Sequence, residues 1–138
     1  MPRLKIAVVE DEGIVAMDIR RALNNLECDI SFIVDSGENA LEMLKLKRTD
    51  AVIMDIVLKG GLDGVEAAKL ILDKYKIPIV FLTAFEDQTT INRAMSVKNY
   101  GLMIKPFEDI MLKKILDDIC RNREKRVNGK SNIKASII

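Results

Sequence analysis

Five polar side chains stand directly after short apolar runs that are rich in valine and isoleucine. The first run is followed by Glu10 and Asp11, and later runs are followed by Asp55, Thr83 and Lys105. Three carboxylates and one lysine carry an excess of negative charge that a divalent cation would balance. Oxygen ligands with room for water suit Mg²⁺. Taken singly, each residue reads as solvated charge or a helix cap, but their joint placement favours a functional site.

The absence of histidine narrows the chemistry that is open to the chain. With no histidine among 138 residues, Ser-His-Asp and Cys-His nucleophile pairs, histidine-ligated metals and the zinc-protease motif are all excluded. Any chemistry must therefore use carboxylates, hydroxyls and lysines.

The elements that must position these side chains alternate between strand and helix. Apolar runs predict five strands, and between them lie stretches with the apolar spacing of amphipathic helices. Continuous apolarity in the strands favours a parallel sheet that is covered on both faces, and so a doubly wound α/β fold. In such a sheet, ligands bind beyond the carboxyl ends of the strands, where the polar residues stand. The predicted strands cover residues 4–9, 30–34, 51–54, 77–82 and 102–104.

Four motifs in this order carry a family resemblance: VVEDE, AVIMDI, FLTAF and IKPF. Together they resemble the motifs of response-regulator receiver domains, from two-component signalling, over about residues 3 to 120. The resemblance implies a flavodoxin-like fold with strand order 2-1-3-4-5. We expect a receiver domain at residues 1–122, followed at 123–138 by a polar tail or the stump of a linker.

The resemblance also implies a role for each polar residue. Asp55 is expected to accept a phosphoryl group, whose oxygens Thr83 and Lys105 contact. Because the chain has no histidine to carry the phosphoryl group, we expect a separate histidine kinase or phosphotransfer domain to bring it. Beyond its own Mg²⁺-dependent phosphorylation and dephosphorylation, we expect no enzymatic activity. The implied Mg²⁺ ligands are Glu10, Asp11, Asp55 and the backbone carbonyl of Val57.

The switching route that the family uses is less complete in this sequence. Three positions before the lysine, where the family has an aromatic residue that rotates inward, stands Leu102. Tyr100 could point to the same side if strand alternation extends to it. In the family this movement remodels the face of the fourth helix, fifth strand and fifth helix, through which a homodimer is possible. The effector that would read this face is unknown.

Two further expectations come from the resemblance. Val57 and Phe85 occupy positions that influence dephosphorylation, and since neither side chain can orient an attacking water, slow loss of the phosphoryl group is expected. The Lys105–Pro106 bond is expected to be cis.

Two alternative functions remain open. An aspartyl-nucleophile phosphatase also places an aspartate at a strand end, but it needs a second acid two residues later, where this chain has Val57. The other alternative is a receiver-like binding module that does not use phosphorylation, which in the family has lost the acceptor or the acidic pocket.

Charge and cysteine content give no sign of other partners. The 22 basic and 21 acidic residues leave a net charge of +1, so nucleic acid and membrane are not expected as partners. Cys28 and Cys120 are predicted to be buried, reduced thiols in a cytoplasmic protein.

Overall fold

The computed structural model describes residues 3–84 and 87–127, with the side chains of residues 124–127 left out. Strands and helices alternate along this part of the chain, as predicted. The strands are β1 (Lys5–Val9), β2 (Asp29–Val34), β3 (Ala51–Asp55), β4 (Ile79–Thr83) and β5 (Gly101–Ile104). The helices are α1 (Gly13–Asn25), α2 (Gly37–Leu44), α3 (Gly64–Tyr75), α4 (Gln88–Met95) and α5 (Asp109–Val127).

The five strands form one parallel sheet in the order β2-β1-β3-β4-β5. This confirms the predicted doubly wound fold and its strand order. The register pairs Val9 with Met54, Asp55 with Leu82 and Thr83 with Ile104. The carboxyl ends of β1, β3, β4 and β5 therefore reach the same edge of the sheet at nearly the same level.

Two apolar layers cover the sheet, one on each face. Phe81, Met54 and Ile71 belong to the layer on the side of α2, α3 and α4, whereas Ile53 and Leu112 belong to the layer on the side of α1 and α5. Every residue of β3 and β4 is buried, which explains their continuous apolarity. Asp55 and Thr83 therefore stand at the ends of fully buried strands.

The starts of α2 and α3, near the sheet's carboxyl edge, are fixed by side-chain caps. The hydroxyl of Ser36 accepts from the Asn39 N–H at the start of α2. At the start of α3, Asp63 accepts from the Glu66 N–H while the Glu66 carboxylate accepts from the Asp63 N–H. The loop after β3 therefore ends at a well-defined point.

The last helix continues to Val127, past the predicted boundary at residue 122. Asn122 donates to the Tyr100 hydroxyl at 2.9 Å, and Arg123 lies 3.3 Å from the largely buried carboxylate of Asp50. These contacts attach the helix to the residues that precede β5 and β3, beyond the point where its apolar pattern fades. The remainder of the predicted tail, 128–138, lies outside the described residues, and the domain boundary stays a prediction.

Two side chains are placed differently from the sequence interpretation. Tyr100 packs on the α1 and α5 side and Leu102 on the opposite side, so the suggested shared orientation is wrong. The reason is that β5 begins at Gly101, and strand alternation does not extend to Tyr100. Cys28 is buried as expected, but Cys120 is only partly buried.

Candidate active site

The structure gathers the predicted polar residues at one edge of the sheet. Glu10 and Asp11 follow β1, Asp55 ends β3, Thr83 ends β4 and Lys105 follows β5. Carboxylate oxygens of Glu10, Asp11 and Asp55 lie within 4.8 Å of one another. The strand register thus brings residues that are far apart in the sequence to one site, in which Glu10, Asp11 and Asp55 form a compact acidic group.

Lys105 stands at the centre of this group. Its Nζ lies 3.1 Å from Glu10 Oε1, 3.1 Å from Asp55 Oδ2 and 2.9 Å from Glu12 Oε1. The side chains of Glu10 and Asp55 are almost completely buried, whereas that of Glu12 is 62% exposed. Burial lowers the pKa of Lys105, whereas the three carboxylates raise it. The effect of the carboxylates is the larger, so the pKa lies above its usual value. Lys105 is a permanent cation in this site.

The Glu10 carboxylate is buried beside that of Asp55. Burial, together with the neighbouring carboxylate of Asp55, raises its pKa to about 7, against the opposing effect of the hydrogen bond from the Glu12 N–H and of Lys105. Its Oε1 lies 3.1 Å from Lys105 Nζ, but among the described residues no donor is directed at it as a hydrogen bond. Desolvation of a buried carboxylate oxygen is costly, and the Lys105 ammonium partly compensates it here.

The donor set therefore fits a hard divalent cation. It consists of carboxylate oxygens within 4.8 Å of one another, includes a buried oxygen that accepts no hydrogen bond from the described residues, and borders a cleft that is open to solvent. Mg²⁺ prefers one or two carboxylates together with water and phosphate oxygens, which such an open site allows.

Backbone amides of the loop after β3 orient the two aspartates. The Val57 N–H donates to Asp55 Oδ1 at 3.0 Å, and the Lys59 N–H donates to Asp11 Oδ2 at 3.2 Å. The side chain of Val57 itself is exposed and apolar. The loop therefore holds both carboxylates while leaving Asp55 Oδ2 to Lys105.

A glycine makes this loop geometry possible. A Cβ on Gly64 would lie 1.9 Å from the backbone oxygen of Asp55, and the Gly64 N–H donates to Ile56 O at 3.0 Å. The first turn of α3 thus packs directly against the backbone of Asp55, at a distance that only glycine permits.

The remaining predicted positions lie where the sequence places them. Thr83 is fully buried, and its carbonyl accepts from the Lys105 N–H at 2.7 Å, which ties the ends of β4 and β5 together. The Lys105–Pro106 bond is cis, as expected. Phe85 lies outside the described residues.

Glu12 is the site residue that the sequence interpretation missed. It stands at the N-terminal cap position of α1, but its side chain makes no cap hydrogen bond and reaches Lys105 instead. The only signal in the sequence is its place in the run Glu10-Asp11-Glu12.

A cleft of about 320 Å³ opens above these groups, lined by Asp11, Glu12, Asp55, Val57, Leu58, Lys59, Ala84 and Lys105. A larger cleft of about 440 Å³ lies near the other edge of the sheet, between Cys28 and Cys120. Its cations are already paired, Arg3 with Asp29 and Lys113 with Asp117. The carboxylates and the lysine that line the smaller cleft therefore favour it as the functional site.

Comparison with known proteins decides the family. A family model described as the response regulator receiver domain matches residues 6–117. The chain belongs to this family. As a receiver domain, it acts in two-component signalling. No helix among the described residues of this receiver domain is both long and apolar enough to cross a membrane.

Two curated relatives are longer than this receiver domain. The chain is 34% identical over 107 residues to the transcriptional regulatory protein PdtaR of Mycobacterium tuberculosis, covering 78% of this chain and 51% of that protein. It is 33% identical over 136 residues to the sensory transduction protein LytT of Bacillus cereus, covering 96% of this chain and 54% of that protein. The chain thus spans about half the length of these relatives.

Solved structures show the same architecture. The signal receiver domain of a modulated diguanylate cyclase from Desulfovibrio desulfuricans G20 superposes with a TM-score of 0.85 at 30% identity, covering 91% of this chain and 99% of that one. The receiver domain of the sensor histidine kinase PA1611 from Pseudomonas aeruginosa PAO1 gives a TM-score of 0.75 at 28% identity, covering 85% of this receiver domain and 97% of that one. That structure has a magnesium ion coordinated in its active site cleft.

Proposed function

We propose that this receiver domain accepts a phosphoryl group on Asp55 in a Mg²⁺-dependent reaction. The observation that carries the proposal is the convergence around Asp55. Its Oδ2 lies 3.1 Å from Lys105 Nζ, and its carboxylate lies within 4.8 Å of oxygens from Glu10 and Asp11. A nucleophile, a fixed cation and a set of metal-binding oxygens therefore share one cleft.

Mg²⁺ would be held by Glu10, Asp11, Asp55 and the backbone carbonyl of Val57. When bound, it supplies positive charge that balances the acidic group and neutralises phosphoryl oxygens. The PA1611 receiver, with magnesium in its cleft, supports this choice of ion.

The chain's own residues supply alignment and charge. Asp55 is held by the Val57 N–H, so one of its oxygens can form the bond to phosphorus while the bond between phosphorus and the donor breaks. The Lys105 ammonium and the Thr83 hydroxyl then contact the phosphoryl oxygens. The nearly complete burial of the Asp55 side chain limits the access of water to the reacting atoms.

The phosphoryl donor lies outside these 138 residues. No histidine exists among the 138 residues, so the phosphohistidine comes from a histidine kinase or a phosphotransfer domain. The receiver contributes the catalytic site, and the partner contributes the activated phosphoryl group.

Phosphorylation would change the face formed by α4, β5 and α5, which serves an effector or a second copy of the chain. Met95 of α4 and Ile104 of β5 are exposed on these elements, at 56% and 47%. Leu102 is packed against the layer on the side of α2, α3 and α4. Without an aromatic side chain there, the conformational change depends on Thr83 and on repacking of this leucine.

We propose no turnover of small phosphate esters, because Val57 offers no acid to protonate a leaving group. The alternative of a phosphorylation-independent binding module requires a lost acceptor or acidic pocket, and both are present in this chain. Cytoplasmic action through protein partners, without nucleic acid or membrane contact, completes the proposal.

The proposal is tested by incubating the protein with acetyl phosphate, with and without Mg²⁺, and measuring the intact mass. We expect one phosphoryl group per chain in the presence of Mg²⁺, and none with Asp55→Asn or after chelation. Steady release of phosphate without an adduct would instead support the phosphatase. An unmodified chain under all conditions would support the binding module.

A further inference from the structure

Glu12 holds Lys105 on the solvent side of the acidic group. Its Oε1 lies 2.9 Å from Lys105 Nζ, which is shorter than the 3.1 Å contacts that Nζ makes with Glu10 and Asp55. An ammonium has three N–H donors, and here three carboxylates occupy them. For Lys105 to bind a phosphoryl oxygen, it must give up one of these acceptors.

Of the three acceptors, Glu12 is the one that water can replace. The side chains of Glu10 and Asp55 are 0% and 4% exposed, whereas that of Glu12 is 62% exposed. Release of a buried carboxylate would leave it uncompensated, but an exposed ion pair contributes little and can separate into solvent.

The position of Glu12 in α1 leaves its carboxylate available for this contact. Glu12 is the N-cap residue of α1, a position where Ser, Thr, Asp and Asn side chains commonly accept hydrogen bonds from the first turn. Its side chain makes no such hydrogen bond, although its backbone N–H donates to Glu10 Oε2 at 3.0 Å. The backbone is thereby fixed to the acidic group, while the carboxylate lines the mouth of the cleft.

We infer that Glu12 is a positioning residue that restrains phosphorylation of Asp55, by holding Lys105 and by placing a negative charge at the mouth through which the phosphoryl donor enters. This inference rests on the proposed function. Loss of the charge should release Lys105 for the phosphoryl oxygens and reduce the repulsion of an anionic donor. The effect is electrostatic and exposed to solvent, so salt should weaken it.

The test compares Glu12→Gln with wild type in two measurements at low ionic strength. The first is the rate of phosphorylation by acetyl phosphate with Mg²⁺. The second is the concentration of beryllium fluoride at which half of the protein is bound, measured from the increase in Tm. Glu12→Gln should react about twofold to fivefold faster and bind beryllium fluoride more tightly by a similar factor, as expected for an exposed ion pair. At about 1 M salt, where the Debye length is near 3 Å, the difference should largely disappear.

Two further variants separate charge from structure. Glu12→Asp keeps the charge at the mouth but is too short for the same contact, so it should fall between wild type and Glu12→Gln. Glu42→Gln removes an equal charge from an exposed pair with Lys45 on α2 and should behave as wild type.

The inference is overturned if Glu12→Gln matches or falls below wild type in both measurements, or if its advantage persists unchanged at high salt. Failure of the proposed function is a separate result. In that case wild type itself would gain no phosphoryl group on Asp55, whatever the residue at position 12.

Discussion

Replacement of Gly64 by alanine should affect stability and phosphorylation together, because the first turn of α3 lies against the backbone of Asp55. The new Cβ would be placed 1.9 Å from Asp55 O and 2.8 Å from Ile56 O. Close carbon–oxygen contacts are usually about 3.3 Å or longer, so the backbone must move by about 1.4 Å. Overpacking against backbone atoms that cannot rotate away should cost about 3 kcal/mol.

Urea and thermal unfolding measure this cost. For a chain of this size, 3 kcal/mol corresponds to a decrease in Tm of about 12 °C. The rate of phosphorylation by acetyl phosphate should also fall, because Asp55 would be displaced relative to Lys105. The matched control is Gly13→Ala in α1, where an added Cβ meets no atom within 4 Å. There the same substitution should leave stability unchanged or raise it by about 0.5 kcal/mol.

A free energy of unfolding for Gly64→Ala within about 0.5 kcal/mol of wild type, the range of an ordinary surface substitution, would show that the close approach of Gly64 to Asp55 is not required. The same conclusion follows if Gly13→Ala is the more damaging of the two.

Three other features lead to measurable outcomes. Asp63→Ala should destabilise the protein by about 1 kcal/mol in urea unfolding, because it removes the reciprocal cap with Glu66, and a result indistinguishable from wild type would contradict that role. Burial raises the pKa of Cys28 to about 11, so at pH 8 only about one thiol in a thousand is ionised. Iodoacetamide should therefore modify Cys28 far more slowly than the partly exposed Cys120, and the rate at Cys28 should still rise above pH 9. Equal rates at the two cysteines would contradict this effect of burial. The phosphorylated domain should lose its phosphoryl group slowly, because the exposed side chain of Val57 cannot orient a water molecule. Val57→Gln, whose amide can do so, should accelerate the loss. A wild-type adduct that decays as fast as that of the variant would contradict this explanation.

The fold and most of the site could be predicted because local pattern and global topology agree. The buried strands β3 and β4 are continuous apolar runs in the sequence, and the helices between strands have regularly spaced apolar residues. Once a parallel sheet is expected, polar residues after successive strands must meet at one edge. Glu10, Asp55 and Lys105 are brought together for that reason.

What the sequence did not predict depends on contacts between distant parts of the chain. From the sequence, the side chain of Glu12 could cap α1 or point into solvent. Its contact with Lys105, a residue far away in the sequence, is visible only in the structure. The wrong orientation of Tyr100 came from extending strand alternation one residue beyond the start of β5. The length of α5 similarly depends on tertiary contacts of Asn122 and Arg123, which a fading apolar pattern does not reveal.

The central claim is that Asp55 is the residue that receives the phosphoryl group. The most direct measurement is to phosphorylate the protein, reduce it with borohydride, which converts an aspartyl phosphate to homoserine, and locate the change by peptide mass spectrometry. We expect homoserine at position 55 only, dependent on Mg²⁺. Homoserine at Asp11 or at another aspartate, with position 55 unchanged, would contradict it.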